Sequence, residues 1–308
     1  MKKLLLGLIL VLIFPLSAHG AVYLHGEEIP TVFMNNQNYI SRNQLGLFNI
    51  EINDSRDFIP LREAAKDLHF YIKNGDVYIT EKPAVNRTTL AITNQGSVLE
   101  AVYFEPKDYT QTVLAVFALH GYEDWYPRDG QILVDTANAV IEEFTNNPEL
   151  MKDTRYIIVP CANPDGLLYG YTENGYGRCN SDGIDLNRDF DYNWDRIDYP
   201  RWKTGDAPFS AIESQALRDL VLLTQPDIVF DFHGWLDCVY TKNMDGELIR
   251  SKLKLGHPKP ALPGFKESQG YFYAWAGQYA KSALIEFRQG KTVEQYKNDA
   301  LAILTYPW

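Results

Sequence analysis

The chain has 308 residues, of which 45% are hydrophobic, 13% aromatic and 22% charged. That is a globular composition, long enough for two domains and a large buried core. The formal net charge is −11, from 29 Lys and Arg against 40 Asp and Glu. This balance excludes nucleic acid as the expected partner, because binding to a phosphate backbone rests on surplus Lys and Arg.

Residues 1–20 read as a secretory signal peptide. Met1-Lys2-Lys3 is basic, Leu4 to Leu16 is apolar and broken by Pro15, and small residues stand at the −3 and −1 positions of a cut after Gly20. The apolar run is shorter than the ~20 residues of a membrane span, and no later run is long enough. The expected setting is therefore export, to the periplasm, the cell wall or the medium, with no membrane span once the signal is removed. Loss of Lys2 and Lys3 makes the mature chain more acidic still.

The next segment, residues 21–85, reads as a small α+β module. Short apolar runs such as Thr31-Val-Phe-Met34 lie between Asn-rich stretches. Pro60 suits a first helical turn, and Leu61, Ala64, Ala65 and Leu68 share one helical face. Asn74-Gly75 between two β-rich runs is a hairpin signal. The stretch FIPLREAAKDLHFYIKNGDVYIT resembles the copper-amine-oxidase N-terminal-like module of exported bacterial proteins. The resemblance implies no copper and no chemistry; it implies an appendage for wall or surface contacts. His25 and His69 read as surface or packing residues.

From residue 86 to 308 the texture changes. Strand-like runs at Thr112–Leu119, Tyr156–Pro160, Asp227–Phe232 and Ser282–Phe287 alternate with helical patterns. Gln131–Phe144 and Ala211–Leu223 are amphipathic, and Ser210-Ala-Ile-Glu213 has the spacing of a capping box for the second. Alternating strands and helices predict an α/β domain with a parallel or mixed sheet. The three cysteines, Cys161, Cys179 and Cys238, are compatible with buried free thiols or with one bridge and one odd thiol.

His120 and Glu123 follow the run Thr112–Leu119 directly. Alone, the pair is either half of a metal site or two polar residues where a strand meets water. A second apolar run ends at His233, and a hydrolytic zinc site wants three protein ligands, for which His₂Glu is a known set. A third run ends at Glu286, a carboxylate able to act as a base beside a metal-bound water. Asn163-Pro-Asp-Gly166 reads as a turn. In the polar segment that follows, Arg178, Asn187 and Arg188 offer planar donors for carboxylates, and Asp185 is placed to orient a ligand histidine.

The motifs HGYE, NPDG, GRCNSDGIDLNRDF, SAIES, DFHGW and ALIEF, in that order, resemble the zinc carboxypeptidase family. The resemblance implies a three-layer α/β/α sandwich around a mixed sheet and one Zn²⁺ on His120, Glu123 and His233. It also implies Glu286 as catalytic glutamate and Arg178 as the group that polarises the scissile carbonyl. Asn187 and Arg188 match the pair that grips a terminal carboxylate, and Tyr271 and Tyr273 are both candidates for the mobile active-site tyrosine. The short domain and GRCNSDGIDLNR look most like bacterial murein peptide amidases, which cut the γ-D-glutamyl–diaminopimelate bond. Asp189 and Asp191 depart from the Asn and Pro usual there. The alternatives are a general carboxypeptidase, an aspartoacylase or succinylglutamate-desuccinylase type of deacylase, and an inactive wall-binding protein.

Overall fold

The computed structural model describes residues 21–34, 37–48, 56–65, 68–73, 76–80, 84–256 and 267–308. The expected signal peptide and the Asn74-Gly75 turn lie outside the described residues. No helix among the described residues is long and apolar enough to cross a membrane. The chain divides into two compact units, Met1–Lys82 and Pro83–Trp308.

The first unit holds strands β1 (Val22–Leu24), β2 (Glu27–Ile29), β3 (Val32–Met34), β4 (Gln37–Ser41), β5 (Phe58–Pro60), β6 (His69–Lys73) and β7 (Asp76–Thr80). They form one sheet of order β2-β1-β7-β6 and another of order β3-β4-β5. The helix expected after Pro60 is a single turn, α1 (Leu61–Ala64), because Phe58-Ile-Pro60 pairs with β4 and the chain is a strand again by His69. Leu61, Ala64 and Ala65 still face inward, in a core with Val22, Ile40, Ile59 and Ile79.

The second unit is built on β8 (Ala84–Ile92), β9 (Val98–Glu105), β10 (Gln111–Phe117), β11 (Thr154–Val159), β12 (Thr172–Cys179), β13 (Ile228–Lys242) and β14 (Lys281–Arg288). All but β12 join in one sheet of order β14-β13-β10-β11-β9-β8. Strands β11, β10, the first half of β13 and β14 run parallel to one another, whereas β9 is antiparallel to both β11 and β8, so the sheet is mixed.

Its helices are α2 (Gly130–Asn146), α3 (Pro164–Tyr169), α4 (Ile212–Thr224), α5 (Gly246–Leu253), α6 (Phe272–Ala276) and α7 (Val293–Leu304). On one face of the sheet, Val113, Ala115 and Phe117 pack with Leu133, Val140 and Phe144 of α2 and Tyr296 and Ile303 of α7. On the other, Leu114 and Val116 pack with Leu217 and Val221 of α4 and Trp275 of α6. Alternate residues of β10 thus feed opposite cores, which is why the strand is an unbroken apolar run. Helices on both faces make the three-layer α/β/α sandwich that the motifs implied.

Strand β13 has two halves. Over Ile228–Trp235 its partners ascend β14 from Lys281 to Arg288; over Leu236–Lys242 they descend from Arg288 to Ser282. One strand edge holds only one ladder, so the chain rounds the end of β14 and returns along its outer edge.

Candidate active site

Parallel strands bring their carboxyl ends to one rim of the sheet, where open α/β folds place their sites. The ends of β10, β13 and β14 meet there. Phe117 is in register with Phe232, and His233 with Glu286. The last pair are neighbours across a ladder, so both side chains leave the same face of the sheet.

After β10, Ala118 takes a positive φ of 53° and turns the chain out of the sheet. Gly121 then passes so close to α3 that a Cβ would lie 2.4 Å from Gly166 C and Leu167 N. Only glycine permits that approach. The Asn163-Pro-Asp-Gly segment is the start of α3 rather than a free turn: the Asn163 side-chain oxygen Oδ1 caps it, accepting from Gly166 N at 2.9 Å. The same side chain donates to Arg178 O at 3.1 Å, and Gly121 N donates to Gly177 O at 3.0 Å. Asn163 and the Gly121 N–H therefore fix the strand end that carries Arg178 against the loop that carries His120.

His120, Glu123 and His233 are each at most 2% exposed, and a ligand atom from each lies within 4.8 Å of the others. Glu123 stands between the histidines, with Oε2 3.1 Å from His120 Nδ1 and Oε1 3.1 Å from His233 Nδ1. Burial opposes ionisation of Glu123, but the two imidazoles outweigh it and hold the carboxyl down at about 2. The opposite ring nitrogens are engaged by carboxylates: His120 Nε2 is 2.9 Å from Asp185, and His233 Nε2 is 2.8 Å from Asp231. Each Nδ1 is thereby turned toward the common point. Two such imidazoles and a carboxylate fit the donor set of a hydrolytic zinc ion, with carboxylates behind the histidines to set their tautomers.

Glu286, 9% exposed, is next to this cluster. Burial pushes its carboxyl up to about 7, with His233 opposing and Glu123 adding to the rise. Its Oε2 has no hydrogen-bonding partner among the described residues.

Arg178 is buried at the cluster's edge, its guanidinium 3.4 Å from Asp185 and 3.9 Å from Asp124. Asp185 thus joins Arg178 to His120. Asn187 and Arg188 lie in the turn after Asp185. The Asn187 Oδ1 accepts from Phe272 N at 2.9 Å, which orients its amide. Arg188 donates to Asn187 O at 2.7 Å, and its guanidinium carbon sits 4.4 Å over the Tyr271 ring. Tyr271 is therefore beside the candidate carboxylate grip. Tyr273 packs in the same cluster as Tyr271, with Cys238, Tyr240 and Leu284, and its hydroxyl is 2.5 Å from Ser268 Oγ.

The expected capping box on α4 does not form. Glu213 is fully buried and accepts from Asn180 Nδ2 at 2.9 Å, which braces the loop after Arg178. The Ser210 hydroxyl bonds back to Ala207 O. Asp189 does the capping: its Oδ2 accepts from Ala211 N at 2.9 Å and from the Ser214 hydroxyl. The cysteines are all free, so the alternative of one bridge is not realised.

Two buried acids that sequence reasoning passed over belong to this site. Asp231 lies two residues before His233 on the same strand, so period-two alternation puts both on one face; a lone acid inside the run Ile228–Phe232 was the available signal. Asp129 accepts from the backbone N–H of Glu123 and Trp125 and from Trp235 Nε1, and its sequence offers no comparable pattern.

A family model described as zinc carboxypeptidase matches residues 86–289. Bacteriocin BCN5 of Clostridium perfringens is 34% identical over 206 residues, covering 63% of this chain and 22% of that protein. Murein peptide amidase A of Escherichia coli strain K12 is 34% identical over 136 residues, covering 39% of this chain and 52% of that protein. The chain thus spans about half or less of these relatives' own length. The crystal structure of murein-tripeptide amidase MpaA from Escherichia coli O157 superposes with a TM-score of 0.55 at 24% identity, over 72% of this chain and 92% of that one. The family match extends from within β8 to just past β14 and takes in each strand end of the site, and the chain belongs to the zinc carboxypeptidase family.

Proposed function

We propose that the protein is an exported zinc peptidase that hydrolyses an amide bond beside a free carboxylate, with murein peptides as substrate class. The observation that carries the reading is the buried His120–Glu123–His233 cluster with Glu286 in register next to His233. A bound Zn²⁺ would acidify a water and act as Lewis acid toward the scissile carbonyl. His120, Glu123 and His233 hold that ion, and Asp185 and Asp231 keep the imidazoles in the binding tautomer. Glu286 takes the proton of the attacking water and returns it to the leaving amine. Arg178 donates to the carbonyl oxygen as negative charge develops there. Asn187 and Arg188 hold the substrate carboxylate, with Tyr271 as one wall, so that cleavage falls next to it. The relatedness to murein peptide amidase A supports the murein substrate over an ordinary peptide. The first unit is assigned wall or surface contact.

Purified, zinc-loaded protein incubated with peptidoglycan peptides is expected to release diaminopimelate, or a peptide beginning with it, as seen by mass analysis. Loss of ordinary C-terminal amino acids alone would assign a general carboxypeptidase. Turnover of N-acyl amino acids alone would assign a deacylase, and no turnover of any of the three would sink the hydrolase reading.

A further inference from the structure

Asp129 immediately precedes α2 and is a residue type that caps helices, yet its side chain makes no cap bond to α2. Its carboxylate is fully buried and turned the other way. The Oδ1 accepts from Glu123 N at 2.5 Å, and Oδ2 accepts from Trp125 N at 2.8 Å and from Trp235 Nε1 at 2.7 Å. The two backbone donors belong to the loop after β10, which carries His120 and Glu123. The indole donor belongs to β13, two residues after His233. One carboxylate therefore ties together the two chain segments that supply the three candidate ligands.

The surroundings make this tie stiff. Trp235 is packed edge-on to Trp125, ring centroids 5.7 Å apart, and against Tyr296 of α7 at 5.4 Å. Gly130, the next residue, approaches His120 so closely that a Cβ would lie 2.5 Å from its carbonyl oxygen. Charge-assisted bonds of this kind are roughly twice as strong as neutral ones. The tie is also independent of the Glu123–histidine contacts, which an ion would replace.

We propose that Asp129 is a positioning residue that sets the metal affinity of the His120–Glu123–His233 cluster by fixing the Glu123 backbone relative to the strand bearing His233. The proposal rests on the reading of that cluster as a zinc site. Supporting carboxylates of this kind are worth about 10- to 100-fold in metal affinity. In Asp129→Asn one oxygen becomes an amide N–H, which must face at least one of the three donors.

The test is zinc affinity of the full chain, measured by competition with a chromogenic chelator, alongside the melting temperature of the metal-free protein. Asp129→Asn is expected to bind zinc about 10- to 100-fold more weakly. Trp235→Phe keeps an aromatic ring at that position and removes one of the three bonds; about a fivefold loss is expected, and it serves if Asp129→Asn does not fold. Asp165→Asn is the control. Asp165 is equally buried and accepts from Thr93 Oγ1, Gln95 N and Ser181 Oγ, but bonds to no residue of the cluster. It should lower the melting temperature and leave zinc affinity within twofold. Zinc affinity unchanged in both Asp129→Asn and Trp235→Phe, or weakened as much in Asp165→Asn, overturns the positioning role. Wild-type protein without stoichiometric zinc binding overturns the metal reading as well.

Discussion

Replacing Glu286 with Gln separates catalysis from metal binding and from folding. The side chain is 9% exposed and its Oε2 has no partner among the described residues, so an isosteric amide breaks no hydrogen bond that the fold uses. It is not one of the three clustered ligands, so zinc affinity should stay within about threefold, far less than the 10- to 100-fold effect of altering groups that support ligands. What the amide cannot do is accept and return a proton. General acid–base catalysis contributes about 10²- to 10⁴-fold, or about 3–5 kcal/mol of barrier at 1.36 kcal/mol per tenfold. Glu286 handles the proton both on attack and on departure of the amine, so the upper end of that range is expected. The assay is kcat/KM on a murein peptide with zinc content measured in the same sample. A Glu286→Gln protein with full zinc and turnover within tenfold of wild type would remove Glu286 from the reaction and leave its burial beside His233 without a catalytic meaning.

The carboxylate grip predicts a different pattern. Arg188→Lys keeps the charge but loses the planar fork and the contact over Tyr271, so KM should rise about tenfold or more while kcat changes little; a fall in kcat with KM unchanged would place Arg188 elsewhere. Asp189 predicts a pH dependence of stability. Burial pushes its carboxyl from 3.8 up to about 6. A raised folded-state value means stability that is present below pH 3.8 and is lost as pH rises through 6. At 1.36 kcal/mol per unit, the two-unit rise amounts to about 3 kcal/mol at most. Asp189 Oδ1 has no partner among the described residues, so Asn can keep the cap on α4 and remove the titration. Urea unfolding of the two proteins from pH 4 to 7 should show wild type losing stability relative to Asp189→Asn; a constant difference across that range would refute it.

The sequence by itself determined the α/β class of the second unit, several of its elements and the chemical class of its site. Strands buried on both faces leave continuous apolar runs, and helices covered on one side leave amphipathic ones, so β10, β13, β14, α2 and α4 were all legible from local pattern. Histidines and a glutamate ending those runs were legible for the same reason, because parallel strands deliver their ends to one rim. Tertiary structure alone decided which polar groups meet. Ser210 and Glu213 have capping-box spacing, but Glu213 is claimed by Asn180 and the cap comes from Asp189, more than twenty residues earlier in the chain. Asp231 became part of the site through its close approach to His233 Nε2, and Asp129 through its hydrogen bonds to the Glu123 loop. The return of β13 along the outer edge of β14 likewise left no local mark, since a fifteen-residue strand reads the same whether it pairs on one edge or rounds the end. Hydrophobic periodicity is a property of each segment's own burial and is written within it. A buried carboxylate is stabilised by whichever donors the completed fold brings within about 3 Å, and that choice is made between segments far apart in the chain.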